Sequence, residues 1–249
     1  RVSKCYYKME NKIPAAALST NSANTLFDWL KQGKVRLKLE MDCRFYEDET
    51  SYNVIAEIFG KEDKVITFGG HLDSWDVGEG AHDDGAGVIH SIEALRILKQ
   101  LNYQPNHKLR CVLFMNEENG NFGGKGYAKW CSDNKEEHIC ALESDRGGFQ
   151  PLGYDVVGSA AQLKFVQSFK PLVKDYRLYN FEFGYGGVDI GPLKKHYPNI
   201  LQLGLNPTSQ RYFDFHHAET DVFENVNKRE LELGCASLAT MVYLMDKNL

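Results

Sequence analysis

From Lys64 onward, short apolar runs alternate with longer stretches whose apolar residues recur every three or four positions. Lys64–Gly69, Lys108–Met115, His138–Leu142, Arg177–Phe183 and Asn199–Leu205 read as strands. The first is a nearly continuous apolar run, the mark of a strand covered on both faces of a parallel sheet. Between them, Asp84–Leu101 carries Val88, Ile92, Leu95 and Leu98 at helical spacing, and Gly124–Cys131 and Ala160–Lys174 read as two further helices. Lys228–Lys247 closes the chain with Leu231, Cys235, Leu238, Val242 and Met245 on one face. Pro105 and Asn106 interrupt the chain before the second strand, and Asn206–Asp221 reads as a long loop. Strand–helix alternation of this kind predicts an α/β fold of three layers, with a mostly parallel central sheet and helices on both faces.

Upstream of Lys64 the rhythm differs. Ser22 or Asn24 can cap a short helix through Leu26, Phe27 and Leu30 that stops at Gly33. Val35–Met41 alternates apolar with polar residues, the pattern of a half-solvated strand, and Tyr52–Phe59 repeats it less cleanly, with Asp48, Glu49 and Ser51 supplying the turn between them. Arg1–Lys12 shows no period, and Ile13–Leu18 reads as a short strand or connector.

Composition narrows the partners. The 249 residues suffice for one large domain, and a net charge of -5 with no basic stripe argues against a nucleic-acid partner. No apolar run approaches the ~20 residues that span a bilayer. The six cysteines show no C-x-x-C spacing, which removes a thiolate zinc site; Cys111, Cys140 and Cys235 read as buried small hydrophobes.

The chemistry gathers where strands hand over to loops. Gly70-His71-Leu72-Asp73-Ser74-Trp75-Asp76 and Ala81-His82-Asp83-Asp84-Gly85 follow the first strand, Glu117-Glu118 follows the second, Glu143-Ser144-Asp145 the third, and His216-His217 lies in the long loop. That edge is where open α/β sheets place their sites. A mixture of imidazole and carboxylate suits zinc or a similar divalent ion better than calcium. The number of such groups suits two ions sharing one carboxylate, as in co-catalytic hydrolases. If one of Glu117-Glu118 binds metal, its neighbour can reach the attacking water.

In this order the motifs resemble the di-zinc aminopeptidase/carboxypeptidase family that includes bacterial leucyl aminopeptidases. The resemblance implies that His71 and Asp145 bind one zinc, Glu118 and His217 a second, and Asp83 bridges them. Glu117 is then the general base, and Asp73 the carboxylate that fixes the ring of His71. Asp84 buttresses the loop, and Asp221 follows the last histidine, with Val222 where relatives have Thr. His216 is expected to steady the oxyanion, with Tyr185 and Tyr212 as rivals, and Asp189 to meet the substrate's α-amino group or to cap a turn. It further implies a short peptide or dipeptide substrate, a secreted, periplasmic or vesicular setting, and room for a homodimer. Residues 1–20 resemble the trailing edge of a protease-associated region and 21–249 the catalytic domain. Three alternatives are weighed against it. A glutaminyl cyclase shares the fold but typically works with one zinc; a non-catalytic ectodomain would have lost metal ligands; a plain α/β domain would carry these acidic loops as solvated turns.

Overall fold

The computed structural model describes residues 13–44 and 46–249. Its centre is β2 (Val65–His71), in which all seven residues are buried, as its apolar run requires. β3 (Lys108–Phe114) and β4 (His138–Glu143) flank β2 in parallel, and β7 (Leu201–Pro207) lies parallel to β4 on its far side. β1 (Val54–Ile58) runs antiparallel to β3 at one end of the sheet. At the other end β5 (Pro151–Val157) runs antiparallel to β7, and β6 (Asn180–Phe183) pairs with β5. The order is β1-β3-β2-β4-β7-β5-β6. Four neighbouring strands thus point the same way, and their carboxyl ends share one edge.

Alternate residues of β2 feed two cores. Ile66 and Phe68 pack with Ala94 and Leu98 of α2 (Ala86–Gln100) and with Leu238, Val242 and Met245 of α6 (Lys228–Asn248). On the opposite face, Val112 and Phe114 of β3 meet Tyr127, Ala128 and Cys131 of α3 (Phe122–Asp133). Thr67 also points there and bonds the Tyr127 hydroxyl at 2.8 Å. The expected three layers follow from this alternation. Cys111, Cys140 and Cys235 are buried free thiols, as their apolar settings imply.

Several expected elements differ. Val35–Met41 forms no strand, and Leu37, Leu39 and Met41 are exposed. Among the described residues no strand supplies it with a ladder, and alternation without a partner leaves the backbone solvated. The helix before it, α1 (Thr20–Gln32), is capped by Ser19 instead of Ser22 or Asn24, and none of its residues is buried. Ala160–Lys174 is broken into α4 (Ala160–Gln167) and α5 (Lys170–Val173), with Pro171 in the first turn of the second, where a missing N–H costs nothing. Ile92, expected inside, is exposed, while the polar His90 and Ser91 beside it are buried. β5 was not expected at all. The reading of Arg1–Lys12 lies outside the described residues.

α6 is fastened at its far end. The carboxylate of Asp246 is wholly buried and accepts bonds from the Tyr103 hydroxyl, the Asn106 and His107 backbone N–H groups and the His107 ring. Asp246→Ala strands these donors, and urea unfolding should show a loss of about 3–5 kcal/mol, the range for removing one member of a buried charged network. A loss no larger than that of an exposed site would mean the donors find water.

Candidate metal centre at the carboxyl edge of the sheet

β2 has β3 on one side and β4 on the other, so the chain reverses its direction of winding there and leaves a crevice beyond the strand ends. His71 ends β2 and is 1% exposed. Its Nδ1 is fixed by the backbone carbonyl of Asp73 at 2.7 Å, which turns Nε2 toward the crevice. There Nε2 lies 3.4 Å from Asp83 Oδ1 and 3.4 Å from Asp145 Oδ1. The other oxygen of Asp83, Oδ2, lies 3.3 Å from His217 Nε2, which is in turn 3.1 Å from Glu118 Oε2. The expected ligand residues therefore converge as two sets of three, with Asp83 giving one oxygen to each.

These separations carry information. Atoms bound to one tetrahedral zinc at 2.0–2.1 Å stand ~3.3 Å apart. His71 Nε2, Asp83 Oδ2, Glu118 Oε1 and Asp145 Oδ1 are all buried without a hydrogen-bond partner, a costly state for polar atoms unless a cation completes it. The donor set, two imidazoles with three carboxylates, is one that borderline divalent ions accept. The residues present fit the group. A separate grouping of Cys131, Glu136 and His138 does not. Arg110 already fills it, with Nη1 and Nη2 each 2.6 Å from a Glu136 oxygen.

The loops are shaped to deliver these groups. Asp221 accepts the backbone N–H of His82 at 2.7 Å and of Asp83 at 3.1 Å, so the last loop holds Asp83 by its main chain, with Val222 leaving that clamp intact. Asp84 accepts from the backbone N–H groups of His71 and Gly87, tying the end of β2 to the start of α2, and keeps an oxygen within 4.8 Å of donor atoms of His71 and Asp145. His217 itself sits at φ 54°, the left-handed region. Glu143, quoted in its motif but given no role by the sequence, accepts the backbone N–H of Val188 and Ile190. A side chain at Gly187, with φ 151°, would run into that carboxylate.

Charge follows geometry. Burial disfavours an ionised His217, but Asp83 and Glu118 outweigh it and raise the ring to about 10. His71 is likewise raised against its burial by Asp145 and Asp83. Burial also opposes the Asp83 anion, yet His217 and His71 hold it well below the usual carboxylate range. The raised histidines and the lowered Asp83 mark a place whose carboxylates call for positive charge. Glu117 has no such partner; burial, then the negative charge of Asp145, pushes it up to about 7.

The surrounding cleft has a volume of about 1000 Å³. Glu117, Tyr185, Tyr212 and His216 all line it, with Trp75 and Arg146. His216 stacks on His217 with ring centroids 3.6 Å apart. Burial, then Asp145 and Asp83, raises the Tyr212 phenol and keeps it a donor. Two roles change. The Asp73 carboxylate stands 3.8 Å from His71 Nδ1, and instead accepts the backbone N–H of Glu117 at 3.0 Å and of Glu118 at 3.2 Å. It orients the Glu-Glu pair, and its carbonyl orients the histidine. Asp189 is 0% exposed with both carboxylate oxygens unpartnered, so it neither faces the cleft to meet an amine nor caps a turn.

With the geometry established, comparison places the chain. The model of peptidase family M28 matches residues 53–241. A carboxypeptidase Q of Bos taurus is 31% identical over 243 residues, covering 96% of this chain and 51% of its own. The chain thus spans about half the length of the curated relatives it matches. The crystal structure of a peptidase M28 precursor from Shewanella amazonensis superposes with a TM-score of 0.82 at 31% identity, over 95% of this chain and 54% of that one. A zinc aminopeptidase from Bacillus subtilis shares the fold with a TM-score of 0.61 at 19% identity, over 77% of this chain and 49% of that one.

Proposed function

This chain belongs to peptidase family M28, and from that premise we propose that it is a two-zinc exopeptidase acting on dipeptides or on the N-terminal bond of short peptides. Residues 21–249 form its catalytic domain, packed from β1 onward. The observation that carries the reading is the pair of three-atom sets joined through Asp83, in each of which the histidine nitrogen stands 3.1–3.4 Å from both carboxylates. His71 and Asp145 would hold one zinc, Glu118 and His217 the other, with Asp83 between them. When bound, zinc supplies Lewis acidity that lets a nearby water ionise near neutral pH and that polarises a peptide carbonyl.

The remaining steps fall to side chains of the cleft. Glu117, oriented through its backbone by Asp73, takes the proton from the attacking water. It then gives that proton to the amine that leaves. His216 and Tyr212 stand in the wall as donors for the carbonyl oxygen as it gains charge. Glutaminyl cyclisation also needs a carboxylate to carry a proton from the attacking amine to the leaving ammonia, so half-buried Glu117 serves either reaction; Glu117 together with a donor set complete for two ions favours hydrolysis. Loss of ligands, expected of a non-catalytic relative, is not seen at any of the five positions.

A panel of dipeptides and aminoacyl amides, assayed with and without a chelator, tests the reading. Hydrolysis should appear on part of the panel, vanish with chelator and return with added zinc. Hydrolysis that survives exhaustive chelation would overturn it. No helix among the described residues is long and apolar enough to cross a membrane.

A further inference from the structure

The loop that follows His71 reaches across to the second set of donors through one aromatic side chain. The indole N–H of Trp75 donates to Glu118 Oε2 at 2.6 Å, joining loops at the ends of two different strands. The same ring lies 5.4 Å from the ring of His217 and lines the cleft. Glu118 Oε1, the other oxygen of that carboxylate, is buried and has no hydrogen-bond partner.

A carboxylate on two flexible methylenes can present its oxygens in many ways. One oxygen tied to a rigid, half-buried donor removes most of them. Indole is well suited to this, because its one N–H donates along a fixed direction and it cannot accept, so the oxygen it meets is held as an acceptor. A cation and an N–H can also share one carboxylate oxygen, since they use different lone pairs. The neighbouring Asp73 holds the Glu118 backbone, and Trp75 holds its side chain. Ligand carboxylates held in this way by outer partners bind metal more tightly than free ones.

We propose that Trp75 is a positioning residue for the ion held by Glu118 and His217, setting that site's affinity through its N–H while leaving the His71–Asp145 site alone. The proposal rests on the reading of Asp83, Glu118 and His217 as metal ligands. It also makes Trp75 a built-in reporter, since its emission must respond when charge on Glu118 is engaged.

Zinc titration of the metal-free protein against a chromophoric chelator, followed in parallel by tryptophan emission, tests it. Wild type should take up two equivalents with a change in emission. Trp75→Phe should weaken one equivalent by about 10- to 100-fold, leave the other unchanged, and abolish the emission change although Trp29 and Trp130 remain. Replacing Trp75 by benzothienylalanine keeps the bicyclic ring and removes the N–H. It should weaken the same equivalent equally, and it carries the test if the smaller Phe disturbs packing. Unchanged affinity in the benzothienyl protein would overturn the proposal, whatever the Phe variant does. Failure of wild type to bind zinc would overturn the metal reading itself and this proposal with it.

Discussion

Glu117→Gln should lower kcat for peptide hydrolysis by about 10²- to 10⁴-fold, the usual contribution of a positioned base, while the protein keeps its full complement of zinc. Gln has nearly the same shape, and the bond from the residue 117 backbone to Asp73 survives the change. What is lost is the ability to accept a proton. Glu117 is absent from both converging sets, so its neutralisation leaves every donor of those sets in place. The pH profile carries the same information. Burial and Asp145 push the carboxyl up to about 7, and nearby zinc would draw it down again. The base acts ionised, so kcat/KM of wild type should fall as pH drops, with its midpoint at or below about pH 7. The Gln variant should lack that acid limb. Near-wild-type turnover in the variant would assign the proton transfer to another group.

Asp83→Ala should cost both ions at once and bring hydrolysis down to the background rate. Each set of three would shrink to two donors, and the two histidines would lose the anion placed between them. The effect should exceed that of removing any ligand that serves one ion. It should also be local. Asp221 grips this segment by the N–H groups of residues 82 and 83, bonds that a truncated side chain leaves untouched. Metal content by atomic emission after gel filtration, beside near-ultraviolet circular dichroism of the folded chain, separates ion loss from misfolding. A variant retaining one tight equivalent would make Asp83 a ligand of a single ion and end its bridging role.

The centre was largely legible because its residues sit where the hydrophobic rhythm changes. His71, Glu117-Glu118 and Asp145 each follow an apolar run, and parallel strands bring such ends to one edge whatever the intervening helices do. Hydrogen-bond detail was harder to read. Nothing in His-Leu-Asp-Ser-Trp-Asp says that Asp73 uses its carbonyl for the histidine and its carboxylate for the next loop, or that Trp75 reaches Glu118. Such choices depend on where a second strand ends, a tertiary fact. Asp189 misled for the opposite reason: a glycine-rich loop reads as exposed, but Glu143 draws this one inward by two backbone bonds. β5 escaped because Pro151 and Gly153 look like loop residues; Leu152, Tyr154 and Val156 alternate beneath that disguise. Val35–Met41 shows the converse, a good pattern without a neighbour.

The clamp between Asp221 and the residue 82–83 backbone joins segments separated by most of the catalytic sequence. Contacts so distant along the chain close late in folding, after the loops between them have paid their entropy. The donors are therefore expected to come into register after β2, β3, β4 and β7 pair, before which the chain would offer no complete donor set. If the proposed centre holds, ion uptake would mark completed assembly, and unfolding of that corner would release its ions together.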